Sequence, residues 1–300
     1  MKSYILLVFF VFSISKLFSQ CIENNPICSS DICLPVQIDV LILYTPGAKN
    51  DADFGNGSHE VCFQKILEQI NLFNFISTQS GVIHSLRLVH VEEIDYVAES
   101  SAIQDWRNLE NSQHPVLGTA HVLRDRYGAD LVSLIVENNS TNDSTYGAGN
   151  LPTCESGFID SRAFSAITVR GVQPGVYSFI HEIGHNLGLN HDRNTVVNGG
   201  CGVDMPIDSI FCPDMFGFSS PDCVNCNTTG NRWRTIMGKN CHCTNMVSCT
   251  RIPYWSNPNV DHPTTGESLG TSGLSNAALG ISMFVLFIFC TGVTLLYLWL

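Results

Sequence analysis

The chain has 300 residues and a mass of 33.0 kDa, with 44% apolar and 14% charged residues. That is enough apolar side chain to bury a sizeable core, which excludes an intrinsically disordered protein. Twenty-seven acidic against fifteen basic residues give a net charge of -12 at pH 7. No run of Lys or Arg is available to neutralise phosphates, so nucleic acid is excluded as a partner.

In chain order, residues 1–19 read as a secretory signal peptide: Lys2, an apolar run from Ile5 to Phe12, and Ser19 before the cleavage point. Residues 20–35 form a Cys-rich leader or short pro-segment. The β-branched, apolar run from Val36 to Tyr44 stops at Thr45-Pro46-Gly47 and predicts a buried strand. Ser58 to Gln79 carries Val61, Ile66, Leu67, Ile70, Phe73 and Ile76 at helical spacing. A strand is predicted over Val82 to Val91, a helix over His114 to Tyr127 ending at Gly128, and a buried strand over Asp130 to Val136. The alternation of helix and strand points to an α/β layer. Asn138 to Pro152, dense in Asn, Ser, Thr and Gly, reads as a surface loop. Ala163 to Val169 reads as a further strand, either the sheet edge or an interior position.

From about Asn198 the pattern changes to a smaller Cys-rich C-terminal part, within one domain spanning residues 36–262. Residues 263–282 read as a linker. Met283 to Leu300 is an uncharged apolar tail that enters a membrane. Small residues at 270–272, an uncharged spacer and the absence of basic residues after the tail favour a GPI-attachment signal over a transmembrane span. Either makes the protein a resident of the extracellular face of the cell membrane, anchored or shed. Thirteen cysteines include Cys290 in the tail, and the other twelve suffice for six disulfides in an oxidising compartment. The Cys223/Cys226 and Cys241/Cys243 spacings, which also suit a zinc knuckle, are read as disulfide cysteines. Sequons at Asn56, Asn138, Asn139, Asn142 and Asn227 are candidate glycosylation sites.

The chemistry sits in HEIGHNLGLNHD at residues 181–192. Val176, Phe179, Ile180, Ile183 and Leu187 form one helical stripe for the core. His181 and His185, four apart, project from one face and reach a single Zn²⁺ at about 2.0–2.1 Å. Glu182 beside them is placed as a base, not as a ligand. Gly188 ends the helix in a left-handed turn that lets His191 reach the same ion. Three neutral nitrogens leave the fourth position open, the catalytic pattern for zinc. At this chain's composition the short His-Glu-x-x-His motif arises by chance in about one chain in a hundred. The full string arises in roughly one in a million, so the full string carries the argument.

The string resembles the extended zinc motif of the metzincin metallopeptidases. RTIMG at 234–238 is similar to their Met-turn, with Met237 the structural methionine 46 residues after His191. Asp192 resembles the reprolysin or adamalysin branch. Lys239 stands where other branches carry a Tyr ligand. VLILYTP at 40–46, LRLVHV at 86–91 with Asp95 and Tyr96, and RIPYWSNP at 251–258 are similar to reprolysin-like enzymes of the peptidyl-Asp metalloendopeptidase type.

The resemblance implies a twisted, mostly parallel sheet with helices, an active-site helix bearing the zinc motif, and a smaller disulfide-rich C-terminal subdomain. It also implies an endopeptidase acting on proteins or peptides with one Zn²⁺, and cleavage beside Asp. Metzincins commonly carry a long inhibitory pro-segment, whereas here the leader is short. One of Cys21, Cys28 or Cys33 could block the zinc, against which the even cysteine count favours disulfides. Arg234, Lys239 and Arg251 are cationic neighbours that could meet an acidic side chain or simply be solvated. The rival from another class is a catalytically silent zinc-bearing adhesion or binding module, from which intact Glu182 separates the enzyme.

Overall fold

The computed structural model describes residues 28–29, 32–33, 35–138, 146–152, 163–193, 195, 215–227, 229–240, 248–283 and 285. The signal peptide, most of the leader, Asn139, Asn142 and the apolar tail beyond residue 285 lie outside these. A short antiparallel pair, β1 (Cys28–Ser29) and β2 (Ile32–Cys33), precedes the core strand β3 (Gln37–Tyr44). Then follow α1 (Pro46–Asn50), α2 (His59–Gln79), β4 (Ser85–Glu93), α3 (Ala102–Glu110), α4 (Thr119–Tyr127) and β5 (Leu131–Val136). β6 (Gly147–Gly149), β7 (Phe164–Thr168) and α5 (Ser178–Asn186) complete the main layer.

One five-stranded sheet runs in the order β4-β3-β5-β7-β6. β4, β3, β5 and β7 are parallel and β6 is antiparallel to β7. Both faces of the central strands are covered, which is why they read as unbroken apolar runs and not as alternating ones. Along β3, Val40, Ile42 and Tyr44 point to a core shared with α2 and α5, while Leu41 and Leu43 point to a second core under α3 and α4. Ser133 and Ser165, buried in adjacent strands, satisfy each other at 2.8 Å. The ends of α2 follow local chemistry: the Ser58 hydroxyl accepts from Val61 N, and at the close of α4 Gly128 adopts φ 62°.

β7 takes the interior one of its two alternative positions, and its outer neighbour, the edge strand β6, lies inside the segment read as a surface loop, which corrects that reading. The expectation that all twelve cysteines pair is corrected, because Cys62, on the buried face of α2, is a free thiol. Helix α3, with Ala102, Asp105 and Leu109 buried, has no counterpart among the predicted elements.

The described C-terminal part contains α6 (Pro221–Val224) and a parallel pair, β8 (Trp233–Arg234) and β9 (Thr250–Arg251). Cys223 is bonded to Cys249, which excludes a knuckle built on Cys223 and Cys226. Residues 277–283, the end of the stretch read as a linker and the first residue of the tail, are helical (α7) and bury Ala277, Ala278 and Ile281 in the α2–α5 core. Among the described residues no helix is long and apolar enough to cross a membrane.

Candidate active site

Helix α5 lies under the β6/β7 edge of the sheet and is held there by Asn186, whose amide donates to the carbonyls of Asn150 (2.9 Å) and Phe164 (3.1 Å). Phe179, Ile180, Ile183 and Leu187 fill the core as the sequence stripe predicts, whereas Val176, placed on the same stripe, lies before the helix and is only partly buried. Gly188 adopts φ 82°, and Leu189 N donates to Gly184 O at 2.9 Å, closing the helix. The chain then turns back, so that His191 faces His181 and His185.

The ligand atoms of His181, His185 and His191 lie within 4.8 Å of one another, and all three rings are buried. His191 Nε2 is 3.2 Å from Nε2 of both other rings. His181 Nδ1 is 2.9 Å from Ile236 O and His185 Nδ1 is 2.7 Å from Leu189 O. A carbonyl only accepts, so both Nδ1 atoms carry the proton and both Nε2 atoms present bare lone pairs to the centre.

Burial, with the neighbouring positive charges and against the carbonyl bonds, pulls all three imidazoles down. His181 and His191 fall well below their ordinary value and His185 falls to about 4. They are neutral at pH 7, as metal ligands must be. The 3.2 Å spacing is close to the edge of a tetrahedron with bonds of about 2.0–2.1 Å, roughly 3.3 Å. These residues therefore fit a divalent ion such as zinc. Among the described residues no fourth His, Cys, Asp or Glu joins the group.

Glu182 is buried beside the triad, and burial pushes its carboxyl up to about 8 against the opposing fields of Lys239 and Arg251. β6 makes room for it. A Cβ on Gly147 would stand 2.7 Å from Glu182 Cγ, and one on Gly149 3.0 Å from Glu182 O. The two glycines share one face of the strand, and their i, i+2 spacing is the signal in the sequence that could have marked a strand here.

Met237 is fully buried beneath the site, and Gly184 is the contact point. A Cβ there would meet Met237 Sδ at 2.7 Å and Trp255 Cζ3 at 3.1 Å. Asp192 ties the third-ligand loop to this turn, since its carboxylate accepts from Thr195 N (3.1 Å), Thr195 Oγ1 (2.8 Å) and Lys239 N (2.9 Å). Arg251 donates through Nη1 to Val176 O at 2.9 Å. The sequons at Asn56, Asn138 and Asn227 lie on described turns and loop ends. The support given by Ile236 O, Gly184 and Trp255 is absent from the sequence reading, because nothing in residue type announces which carbonyl a ring nitrogen will find.

An α/β layer with a three-histidine pocket beneath its antiparallel edge defines the class, a metal-site protein with a glutamate at the centre. Residues 37–256 match the model of metallopeptidase family M12, reprolysin type. The chain belongs to that family. It is 27% identical over 231 residues to a peptidyl-Asp metalloendopeptidase of Stenotrophomonas maltophilia (strain R551-3), covering 76% of this chain and 46% of that protein. A peptidyl-Asp metalloendopeptidase of Pseudomonas aeruginosa is 34% identical over 173 residues, 55% of this chain and 27% of the relative. One from Xanthomonas campestris pv. campestris is 25% identical over 242 residues, 81% and 48%. The chain thus spans less than half the length of these relatives. A solved structure described as a chaperone-substrate complex shares the fold, with a TM-score of 0.57 at 21% identity over 82% of this chain and 33% of that one.

Proposed function

We propose that the protein is a zinc-dependent endopeptidase with Glu182 as its proton-transfer residue. The observation that carries this reading is the convergence of three Nε2 atoms, those of His181 and His185 with bare lone pairs, beside the buried Glu182, beneath a sheet edge open to an extended chain. His181, His185 and His191 would hold the ion. Bound there, zinc supplies Lewis acidity.

Glu182 takes a proton from the attacking water at its carboxylate oxygen and returns it to the leaving amine, and Gly147 and Gly149 leave the room that its side chain occupies. β6 offers its outer edge to substrate backbone, since no strand pairs with that side among the described residues. Met237 and Trp255 hold the helix from below. The name shared by the relatives supports cleavage beside Asp.

The reading extends to the secretory pathway and the extracellular face of the membrane, with glycosylation at the named sequons. Support for an oxidising compartment comes from the Cys223–Cys249 bridge. Anchoring is by the apolar tail, as a GPI signal or a single span, and burial of Ala277, Ala278 and Ile281 in the core supports their retention in the folded domain. The test of function is cleavage of a denatured protein mixture by wild type and Glu182→Gln, each with and without a zinc chelator. Activity confined to metal-loaded wild type is the expected result. Turnover by Glu182→Gln would refute its role, and bound zinc without any cleavage would favour the binding module.

A further inference from the structure

We propose that Arg251 and Lys239 form the subsite that selects an acidic side chain next to the scissile bond. This deepens the peptidase reading and rests on it. The two cations come from different elements. Arg251 sits on β9, in register with Arg234, and Lys239 follows the turn that holds Met237. Arg251 Nη1 donates to Val176 O at 2.9 Å, two residues before α5, and Lys239 N donates to the carboxylate of Asp192, next to His191, at 2.9 Å, so both residues enter beside the reacting centre, and the fields of both reach Glu182 and His191.

Their positive charge is under-compensated. Glu182 is the carboxylate whose field reaches Arg251, and Glu182 and Asp192 are those that reach Lys239. Asp192 already accepts from Thr195 N, Thr195 Oγ1 and Lys239 N. Burial pulls both cations below their ordinary values, Arg251 to about 10, with Arg234 adding to the strain on Lys239. Arg251 Nη1 is held by Val176 O, but its Nε is buried with no hydrogen-bond partner.

A buried guanidinium N–H without an acceptor is costly, and a carboxylate arriving with a ligand beside it would satisfy it. Arg251 is pre-set by its Val176 bond, so its planar donors can take a carboxylate side-on, while the Lys239 ammonium adds a point charge. Two held cations beside Glu182 also disfavour a basic side chain at the same position. An isosteric amide offers one acceptor oxygen and no charge, so Asp against Asn is the sharpest comparison. A free C-terminal carboxylate has the same chemistry as an acidic side chain, and amidated peptides separate the two.

The experiment uses the full-length protein and its Lys239→Met and Arg251→Gln variants. The substrates are C-terminally amidated peptides that differ only in one Asp, Asn or Ala, together with the Asn peptide bearing a free C-terminus. kcat/KM is measured for each. Affinity for the Asp and Asn peptides is measured by calorimetry on chelator-treated protein, a readout independent of turnover. Wild type is expected to favour Asp over Asn by about a hundredfold, falling by roughly tenfold in Lys239→Met and towards unity in Arg251→Gln, with affinity ratios moving the same way.

If Arg251→Gln does not fold, Arg251→Lys keeps the charge without the fork and is expected to lower the ratio. Folded variants that keep the wild-type Asp/Asn ratio, or that slow all peptides equally, would overturn the assignment. So would a wild type that cleaves Asp, Asn and Ala peptides alike or prefers the free C-terminus, with the peptidase reading intact. No cleavage of any peptide would instead sink the peptidase reading, while the affinity ratios would still decide the role of the two cations.

Discussion

Gly184→Ala is the most informative single change in the scaffold of the site. The new methyl would stand 2.7 Å from Met237 Sδ and 3.1 and 3.3 Å from the Trp255 ring, in a region with no solvent to yield. Trp255 cannot withdraw, because its Nε1 donates to Ser77 Oγ at 3.2 Å and its backbone N–H to Ser80 Oγ at 2.9 Å. The Met237 thioether is the softer partner.

Replacing Gly by Ala inside a helix gains about 1 kcal/mol, while overpacking a filled core costs about 1–3 kcal/mol. With one rigid wall the upper end applies, leaving a net loss of about 2 kcal/mol, or roughly 4–8 °C in Tm for a domain of this size. Any shift of the Met237 turn also moves Ile236 O away from His181 Nδ1, so zinc affinity is expected to fall by about tenfold or more. The assay is thermal unfolding with and without chelator, beside a competition measurement of zinc affinity. Met237→Ala opens space under residue 184, so the double variant should be less destabilised than the sum of the singles by about 1 kcal/mol. A Gly184→Ala protein as stable as wild type, or strictly additive singles, would refute the packing argument.

Three further outcomes are expected. Chelation should lower Tm, with about 2.7 kcal/mol restored by zinc at a hundred times its Kd, and His181→Ala should abolish the response; a melt indifferent to chelator would contradict the ligand assignment. Gly147→Ala sets a methyl 2.7 Å from Glu182 Cγ, so kcat should drop by about tenfold or more while Tm moves little; unchanged turnover would show that β6 does not constrain the carboxylate. His84, buried with Nδ1 accepting from Val36 N at 3.2 Å, is held neutral by burial, below the unfolded value of about 6.5. On acidification the unfolded chain takes up that proton first, so stability falls as pH drops below about 6.5 until the folded value is reached. Replacing His84 by Leu should reduce the slope of stability against pH by up to about 1.4 kcal/mol per unit in this window, and equal slopes would contradict the assignment.

The parts legible in the sequence are those fixed by strong local patterns. β3 and β5 are unbroken apolar runs buried on both faces, α2 carries a capping serine and a helical stripe, and Gly188 sits where only a left-handed turn brings His191 back. The parts not legible depend on distant partners. β6 is rich in Gly because Glu182 needs the space, and the same glycines read locally as loop. β7 is interior because β6 pairs outside it, which no property of Phe164–Thr168 reveals. α7 mixes Ala, Gly and Ser with Leu279, Ile281 and Met283 and follows a polar, Gly- and Ser-rich stretch that suits a spacer, yet Gly280 lies against Met215 and Leu189 in close packing. Cys62 shows that parity arguments count thiols but cannot see which of them a helix has buried.

The two imidazoles on α5 are oriented by main-chain oxygens, Ile236 O and Leu189 O, and not by the carboxylates or amides that often serve this purpose. No codon change deletes a carbonyl. The tautomers of the metal ligands are thus written into the course of the backbone, and the side chains at 189 and 236 are left to answer only to the core they fill. Drift at those two positions can alter volume and shape, while the instruction to hold each ring proton away from the centre passes through unchanged.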